Sequence, residues 1–276
     1  MNKLVCNLCP HRCDLKENQI GICSARSNIN GKIVPVNYGQ LTSIALDPIE
    51  KKPLRRFCPG KYILSVGSFG CNLKCQFCQN YQISMCFKEA LRLQYVEPEE
   101  LIKAGSDLIQ RGNIGIAYTY NEPLVGYEYV RDCAILARKN NLKNVIVTNG
   151  YFCGEPMKEL FPFIDALNID LKGFTSAFYE KVGGNLETVK DFIKIASKYS
   201  HVEITTLIIP GENDDEDEIR KMVEFIASIN PDIPLHLSRF FPCYKMKDKS
   251  PTEVADIYHL ANVAREKLNY VYEGNC

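Results

Sequence analysis

The chain has 276 residues, 46% hydrophobic and 24% charged, which is an ordinary globular balance with room for one large domain or two small ones. Its 33 lysines and arginines match its 33 aspartates and glutamates, so no global field draws it to nucleic acid or to an anionic membrane. No apolar run approaches the ~18 residues of a membrane span, the start MNKLVCNLCPHRC lacks a secretory apolar stretch, and the expected location is the cytoplasm.

The first 60 residues hold many turn residues and little helical pattern. They read as a cysteine-rich N-terminal cap held by metal. Five of the thirteen cysteines stand here, four of them grouped as Cys6-x2-Cys9-x3-Cys13-x9-Cys23. Four thiolates suit a structural zinc or an auxiliary iron–sulfur cluster, and the spacing does not separate the two. His11 is an alternative ligand inside the knuckle, and disulfides are disfavoured in a reducing compartment. The basic run Lys51, Lys52, Arg55 and Arg56 reads as a solvated segment.

Residues 61–276 alternate strand and helix. Strands are expected at Tyr62 to Val66, Ile114 to Tyr118, Val145 to Val147, Ala166 to Leu171, Val202 to Ile209 and Leu235 to Phe240, with a last one at Tyr270 to Tyr272. Helical spacing covers Glu99 to Arg111, Pro123 to Lys139, Glu155 to Leu160, Thr175 to Val182, Leu186 to Tyr199, Asp215 to Ile229 and Pro251 to Lys267. Cys133 falls among Val130, Ala134 and Ala137 as a small core residue. The acids from Glu212 to Glu218 offset the positive end of a helix dipole. Six βα units in a row argue for a parallel sheet with helices outside. They are too few for a closed eight-stranded barrel; a partial barrel or a doubly wound sheet fits.

Polar residues follow each strand, at the carboxyl ends where such folds build their sites. They include Thr119-Tyr120-Asn121-Glu122-Pro123, Thr148-Asn149-Gly150, Asp170-Leu171-Lys172 and Ser238-Arg239. The sharpest signal follows the first strand of the series: Cys71-x3-Cys75-x2-Cys78, with aromatic Phe77 before the last cysteine. Three thiolates from one loop can hold three irons of a cubane and leave the fourth open, whereas ferredoxin clusters use four cysteines. The alternative is zinc, with Cys86 or a distant histidine as fourth ligand.

That triplet resembles the motif of the radical S-adenosylmethionine (SAM) superfamily. With CNLCPHRC, DPIEKKPL, GCNLKCQFCQN, TYNEP, NIDLKGF, EITTLIIPGEND and YVYEGNC, essentially the whole chain resembles the AmmeMemoRadiSam-system radical SAM enzymes, relatives of the pyruvate formate-lyase activating enzymes. The resemblance implies a partial (β/α)6 TIM-like barrel and a [4Fe-4S] cluster on Cys71, Cys75 and Cys78. It also implies reductive cleavage of SAM to methionine and a 5′-deoxyadenosyl radical, as in an enzyme of oxidoreductase or transferase type. Tyr120, Asn121 and Glu122 take the place of the Gly-Gly-Glu element that holds the SAM amino group. Thr148 and Asn149 would lie near its carboxylate, Asp170 near the ribose, Lys172 near a carboxylate, and Phe77 and Asn80 beside the adenine. Asn121 and Pro123 also read as the cap and first residue of a helix, and Asp170 with Lys172 as an exposed ion pair.

The activating enzymes carry an arginine on the fifth strand where this chain has Thr205, so either SAM is held differently here or Arg239 is the substitute cation; His236 reads as a neighbour of SAM or substrate, or as an ordinary core or surface residue. The resemblance also implies a cysteine-containing tail beyond the YVYEGN segment. The chain stops at Cys276, and truncation there is the expectation. Implied partners are a flavodoxin- or ferredoxin-type electron donor and Memo-like and AMMECR-like proteins. Arg239, Phe240, Phe241, Tyr244 and Lys245 crowd the sixth strand end, with Met246 beside them, and either point to a compact anionic or partly apolar substrate or plug the barrel rim. Two other functions stand beside this one: an activase making a glycyl radical on a partner enzyme, and a non-catalytic iron–sulfur electron carrier.

Overall fold

Short runs rich in β-branched residues between turn signals build the centre of the molecule. The computed structural model describes residues 3–276. One sheet of eight strands dominates it: β1 Ser43–Pro48, β2 Tyr62–Gly67, β3 Asn113–Tyr118, β4 Lys143–Thr148, β5 Ala166–Asp170, β6 His201–Ile208, β7 Leu235–Arg239 and β8 Val271–Gly274. Their spatial order follows the chain, from β8 at one edge to β1 at the other. From β2 to β8 every neighbouring pair is parallel, and β1 lies antiparallel on β2. The edges do not pair with each other, so the sheet is the open, partial barrel and not the doubly wound alternative, whose strand order would reverse.

The crossovers are α1 Pro98–Asp107, α2 Tyr127–Lys139, α3 Gly154–Lys158, α4 Ser176–Lys181, α5 Leu186–Ala196, α6 Glu216–Ile229 and α7 Val254–Arg265. Local chemistry sets their starts: the side chains of Thr175, Asn185 and Asp215 accept the backbone N–H of Phe178, Thr188 and Glu218. The acidic block is thereby the first turn of α6, and Cys133 is a fully buried residue of α2.

Alternation along the strands separates two apolar layers. Leu64, Ile116, Ile146 and Leu167 pack outward with the helices. Their neighbours Ile63, Ala117, Val145 and Ala166 face inward and meet Ile49 and Leu54. The last two belong to the connection from β1 to β2, which crosses the hollow of the barrel and fills it. Burying them contributes roughly 3–6 kcal/mol.

This crossing corrects the expected division at residue 60. Residues 43–48 are an edge strand of the main sheet and residues 49–57 its inner plug, so only residues up to about 42 form the cap. Of the basic run, Lys51, Arg55 and Arg56 are exposed as a solvated segment would be, but Lys52 is buried at 2% exposure. The cap is built from small antiparallel pairs, Leu4–Val5 with Asp14–Leu15 and Arg26–Ile29 with Lys32–Pro35.

Candidate active site

The cysteine loop leaves the end of β2 and is tied down on several sides. The Asn121 side chain accepts the Ser68 N–H at 2.9 Å and donates to the carbonyls of Phe69 and Gly70 at 3.0 and 3.1 Å. Gly70 sits at φ +89°, and a Cβ there would lie 2.4 Å from the Cys23 carbonyl oxygen. Cys243 and Lys245 donate to the carbonyls of Phe77 and Gln76 on the outer side.

Held this way, Cys71, Cys75 and Cys78 line one cleft of about 550 Å³ at the carboxyl ends of the strands. Burial pushes the Cys71 thiol well above its usual range and Cys75 up to about 11, while Lys172 pulls Cys75 back towards thiolate. Metal loading must therefore displace protons here. Among the described residues no three His, Cys, Asp or Glu side chains converge as one mononuclear ion would require. A cubane does not require it, since each thiolate takes a different iron. A larger hollow of about 810 Å³, lined by Arg56, His201 and Asp232 near the start of β6, holds no cysteine.

The strand ends supply the other walls. Glu122 follows β3 and is 3% exposed. It accepts the N–H of Leu124 at 3.0 Å, the Thr148 hydroxyl at 2.8 Å and the Asn149 N–H at 2.7 Å. Burial nevertheless pushes its carboxyl up to about 7. Asn149 also donates to Asn72 at 2.9 Å and reaches the Cys71 sulfur at 3.6 Å. Lys172 contacts Asp170 at 2.7 Å at the end of β5. Against the cost of burial, Asp170 and Cys75 keep the lysine firmly protonated. Tyr120 has φ +71°, and its hydroxyl donates to Asp47 at 2.6 Å. Asn80 donates to the Tyr120 carbonyl at 2.7 Å, and Phe77 stacks on Phe178.

All of these residues line the cleft apart from Asp47, Asn72, Leu124 and Phe178, and so does His236. His236 has its Nε2 on Glu203 at 2.6 Å and stacks on Tyr272, so its ring nitrogen is already engaged. Arg239 is a correction. Its guanidinium turns to the Thr252 carbonyl at 2.6 Å and over the Phe241 ring, outside the cleft lining. Phe240, Phe241, Tyr244, Lys245 and Met246 also lie off the lining. The expected helix cap shifts by one residue: Glu122, not Asn121, caps the turn that Pro123 opens.

Two groups escaped the sequence reading. Lys52 from the inner plug binds Asp47 at 2.8 Å and sits 4.5 Å from the Tyr120 ring centroid. Glu203, fully buried, accepts from His201, His236 and the N–H groups of Arg55 and Arg56, which fastens the plug to β6. DPIEKKPL was the available signal for the first. For Glu203 it was EITTLIIPGEND, which opens on this acid inside a β-branched run.

Residues 65–226 match the family model described as the radical SAM superfamily. The chain is 42% identical over 278 residues to an uncharacterized protein of Methanocaldococcus jannaschii, covering 99% of this chain and 82% of that one. It is 24% identical over 163 residues to the pyruvate formate-lyase 1-activating enzyme of Escherichia coli K12, covering 56% of this chain and 65% of that one. Among solved structures, a domain of a pyruvate-formate lyase-activating enzyme from Bacteroides vulgatus is similar with a TM-score of 0.51 and 19% identity, over 58% of this chain and 99% of that chain. At that identity the likeness is one of fold alone.

Proposed function

The chain belongs to the radical SAM superfamily, and from that premise we propose that it cleaves S-adenosylmethionine reductively at a [4Fe-4S] cluster on Cys71, Cys75 and Cys78, and acts on a compact anionic substrate. One observation carries the reading: three thiols from one loop share a cleft with a buried carboxylate and with the Asp170–Lys172 pair. The donor set fits the two groups. Three thiolates leave one position of a cubane without a protein ligand, and Glu122 spends three of about four acceptor sites on the protein, which leaves one for an ammonium.

When bound, cluster and SAM together supply a 5′-deoxyadenosyl radical that takes hydrogen from substrate. The chain's own residues bind and orient. Glu122 holds the SAM amino group, with Thr148 and Asn149 towards its carboxylate. Asp170 takes the ribose hydroxyls, Lys172 a carboxylate, and Phe77 and Asn80 border the adenine. Lys51, Lys52 and Arg55 line the same cleft from the inner plug, and their cations favour an anionic substrate. The plug also fills the barrel hollow, which favours a compact molecule over a peptide loop.

Radical SAM enzymes usually take electrons from a flavodoxin or ferredoxin, and a donor of that type is assigned here. The motif resemblance supports placement in the AmmeMemoRadiSam system, with Memo-like and AMMECR-like partners. The test is anaerobic reconstitution with dithionite and SAM. Methionine and 5′-deoxyadenosine should form, and Cys75→Ala should abolish both. Unchanged cleavage in that variant refutes the assignment, and cleavage at another SAM bond overturns the adenosyl mechanism.

A second reading, activation of a glycyl radical enzyme, is favoured by the likeness to activating enzymes. Electron paramagnetic resonance of reduced enzyme, SAM and candidate glycyl radical proteins decides it through the glycyl doublet. A bare electron carrier would show cluster reduction with no SAM cleavage.

A further inference from the structure

Cys6, Cys9, Cys13 and Cys23 meet at a second place, away from the catalytic cleft, where they line one small pocket. None is in a disulfide, and Cys6, Cys9 and Cys23 are buried. The backbone prepares the site. Cys6 N–H donates to the Cys13 carbonyl at 2.9 Å and Arg12 N–H to that of Cys9 at 3.1 Å, which folds the first three cysteines into a tight turn.

Arg26 is the independent observation. It is 6% exposed and lines the same pocket, beside Cys6 and Cys23. Its terminal nitrogens bind Glu128 at 2.9 and 2.8 Å, but its Nε has no partner. A buried guanidinium N–H left unmatched is costly beside four neutral thiols. Beside four thiolates on a metal, which carry net negative charge, it is matched.

We propose that Cys6, Cys9, Cys13 and Cys23 bind a thiophilic metal centre, zinc or an iron–sulfur cluster, that braces the catalytic cysteine loop. His11 does not line the pocket, and its Nε2 is on the Asn72 carbonyl at 2.8 Å. No three described ligand side chains converge on one point, so zinc requires the thiols to turn inward, whereas a cluster takes one iron per thiolate. The brace is direct. The Cys23 carbonyl accepts the Cys71 N–H at 3.1 Å, and the Ile22 carbonyl accepts the Lys74 ammonium at 2.9 Å. A metal that fixes Cys23 thus fixes the first catalytic cysteine.

The test uses the full chain with Cys71→Ala/Cys75→Ala/Cys78→Ala, purified anaerobically, with circular dichroism to verify folding. A Cys75→Ala/Cys78→Ala variant serves where the triple variant does not fold. About one zinc per chain, or iron with sulfide and cluster absorbance, is expected and identifies the centre. A folded, metal-free variant overturns the site. Hydrogen exchange of the same variant before and after metal removal reads the brace. Protection at residues 70–74 should fall on removal, and unchanged protection overturns it. Neither readout involves SAM cleavage, so failure here is distinct from failure of the proposed reaction.

Discussion

The Asn149 N–H donates to the Glu122 carboxylate at 2.7 Å, while the Asn149 side chain reaches the Cys71 sulfur at 3.6 Å. One residue therefore couples the carboxylate assigned to the SAM amino group to the first cysteine of the loop. In Glu122→Gln the amide nitrogen opposes donors that now point at oxygen, and the negative charge is gone. A charge-assisted hydrogen bond of about 1.5–3 kcal/mol corresponds to a ~10–100-fold weaker SAM affinity. Calorimetric titration of the reconstituted variant, at unchanged iron content, measures it. Wild-type affinity would remove Glu122 from the site.

Lys52 and Asp47 are buried together beneath Tyr120, with side chains 3% and 13% exposed. Burial opposes ionisation of Asp47, but hydrogen bonds from Lys52 and Tyr120 hold it at about 2. Lys52→Met leaves that carboxylate with only the exposed Lys51 at 3.6 Å and should destabilise the fold by about 3 kcal/mol. Lys52→Met/Asp47→Asn should recover part of the loss. Urea unfolding of both variants tests this, and equal midpoints for Lys52→Met and wild type would contradict it.

Glu203 gives the fold an acid-sensitive point. Burial pushes its carboxyl up, yet the bonds from His201, His236 and the Arg55 and Arg56 N–H groups bring it from 4.5 to about 2. A depressed folded pKa gives stability that is present above about 4.5 and lost as pH falls towards 2. The shift corresponds to about 3 kcal/mol. Glu203→Gln should flatten the fall in melting temperature between pH 5 and 3, as calorimetric scans would record. A wild-type acid limb in the variant would place the effect elsewhere.

Gly70→Ala should separate the cap from the cysteine loop. Its Cβ would collide with the Cys23 carbonyl at 2.4 Å, in a backbone conformation that favours glycine. Iron bound after reconstitution should fall several-fold. Gly60→Ala has a similar positive φ with open space around it, so it should retain wild-type iron at a cost of about 1 kcal/mol in stability. Iron analysis of the pair separates collision from backbone strain, and equal loading would dismiss the collision.

The sequence by itself determined the strand and helix series, the cysteine triplet Cys71, Cys75 and Cys78 and the residues at the strand ends. These are local signals: hydrophobic period, caps and spacing within one loop. The expected strands at Tyr62 to Val66 and Ala166 to Leu171 fall within a residue of those observed. Tertiary structure alone decided what local patterns do not encode. Lys52 lies in a run of charges that looks solvated, and only the passage of residues 49–57 through the barrel buries it. Arg239 stands at a strand end like the site residues, but the Thr252 carbonyl offers its guanidinium a partner outside the cleft. Glu203 and His236 are 33 residues apart, and parallel pairing of β6 with β7 brings them to 2.6 Å. Side-chain direction and burial depend on neighbours distant along the chain, so they appear only when the sheet has curved around its plug.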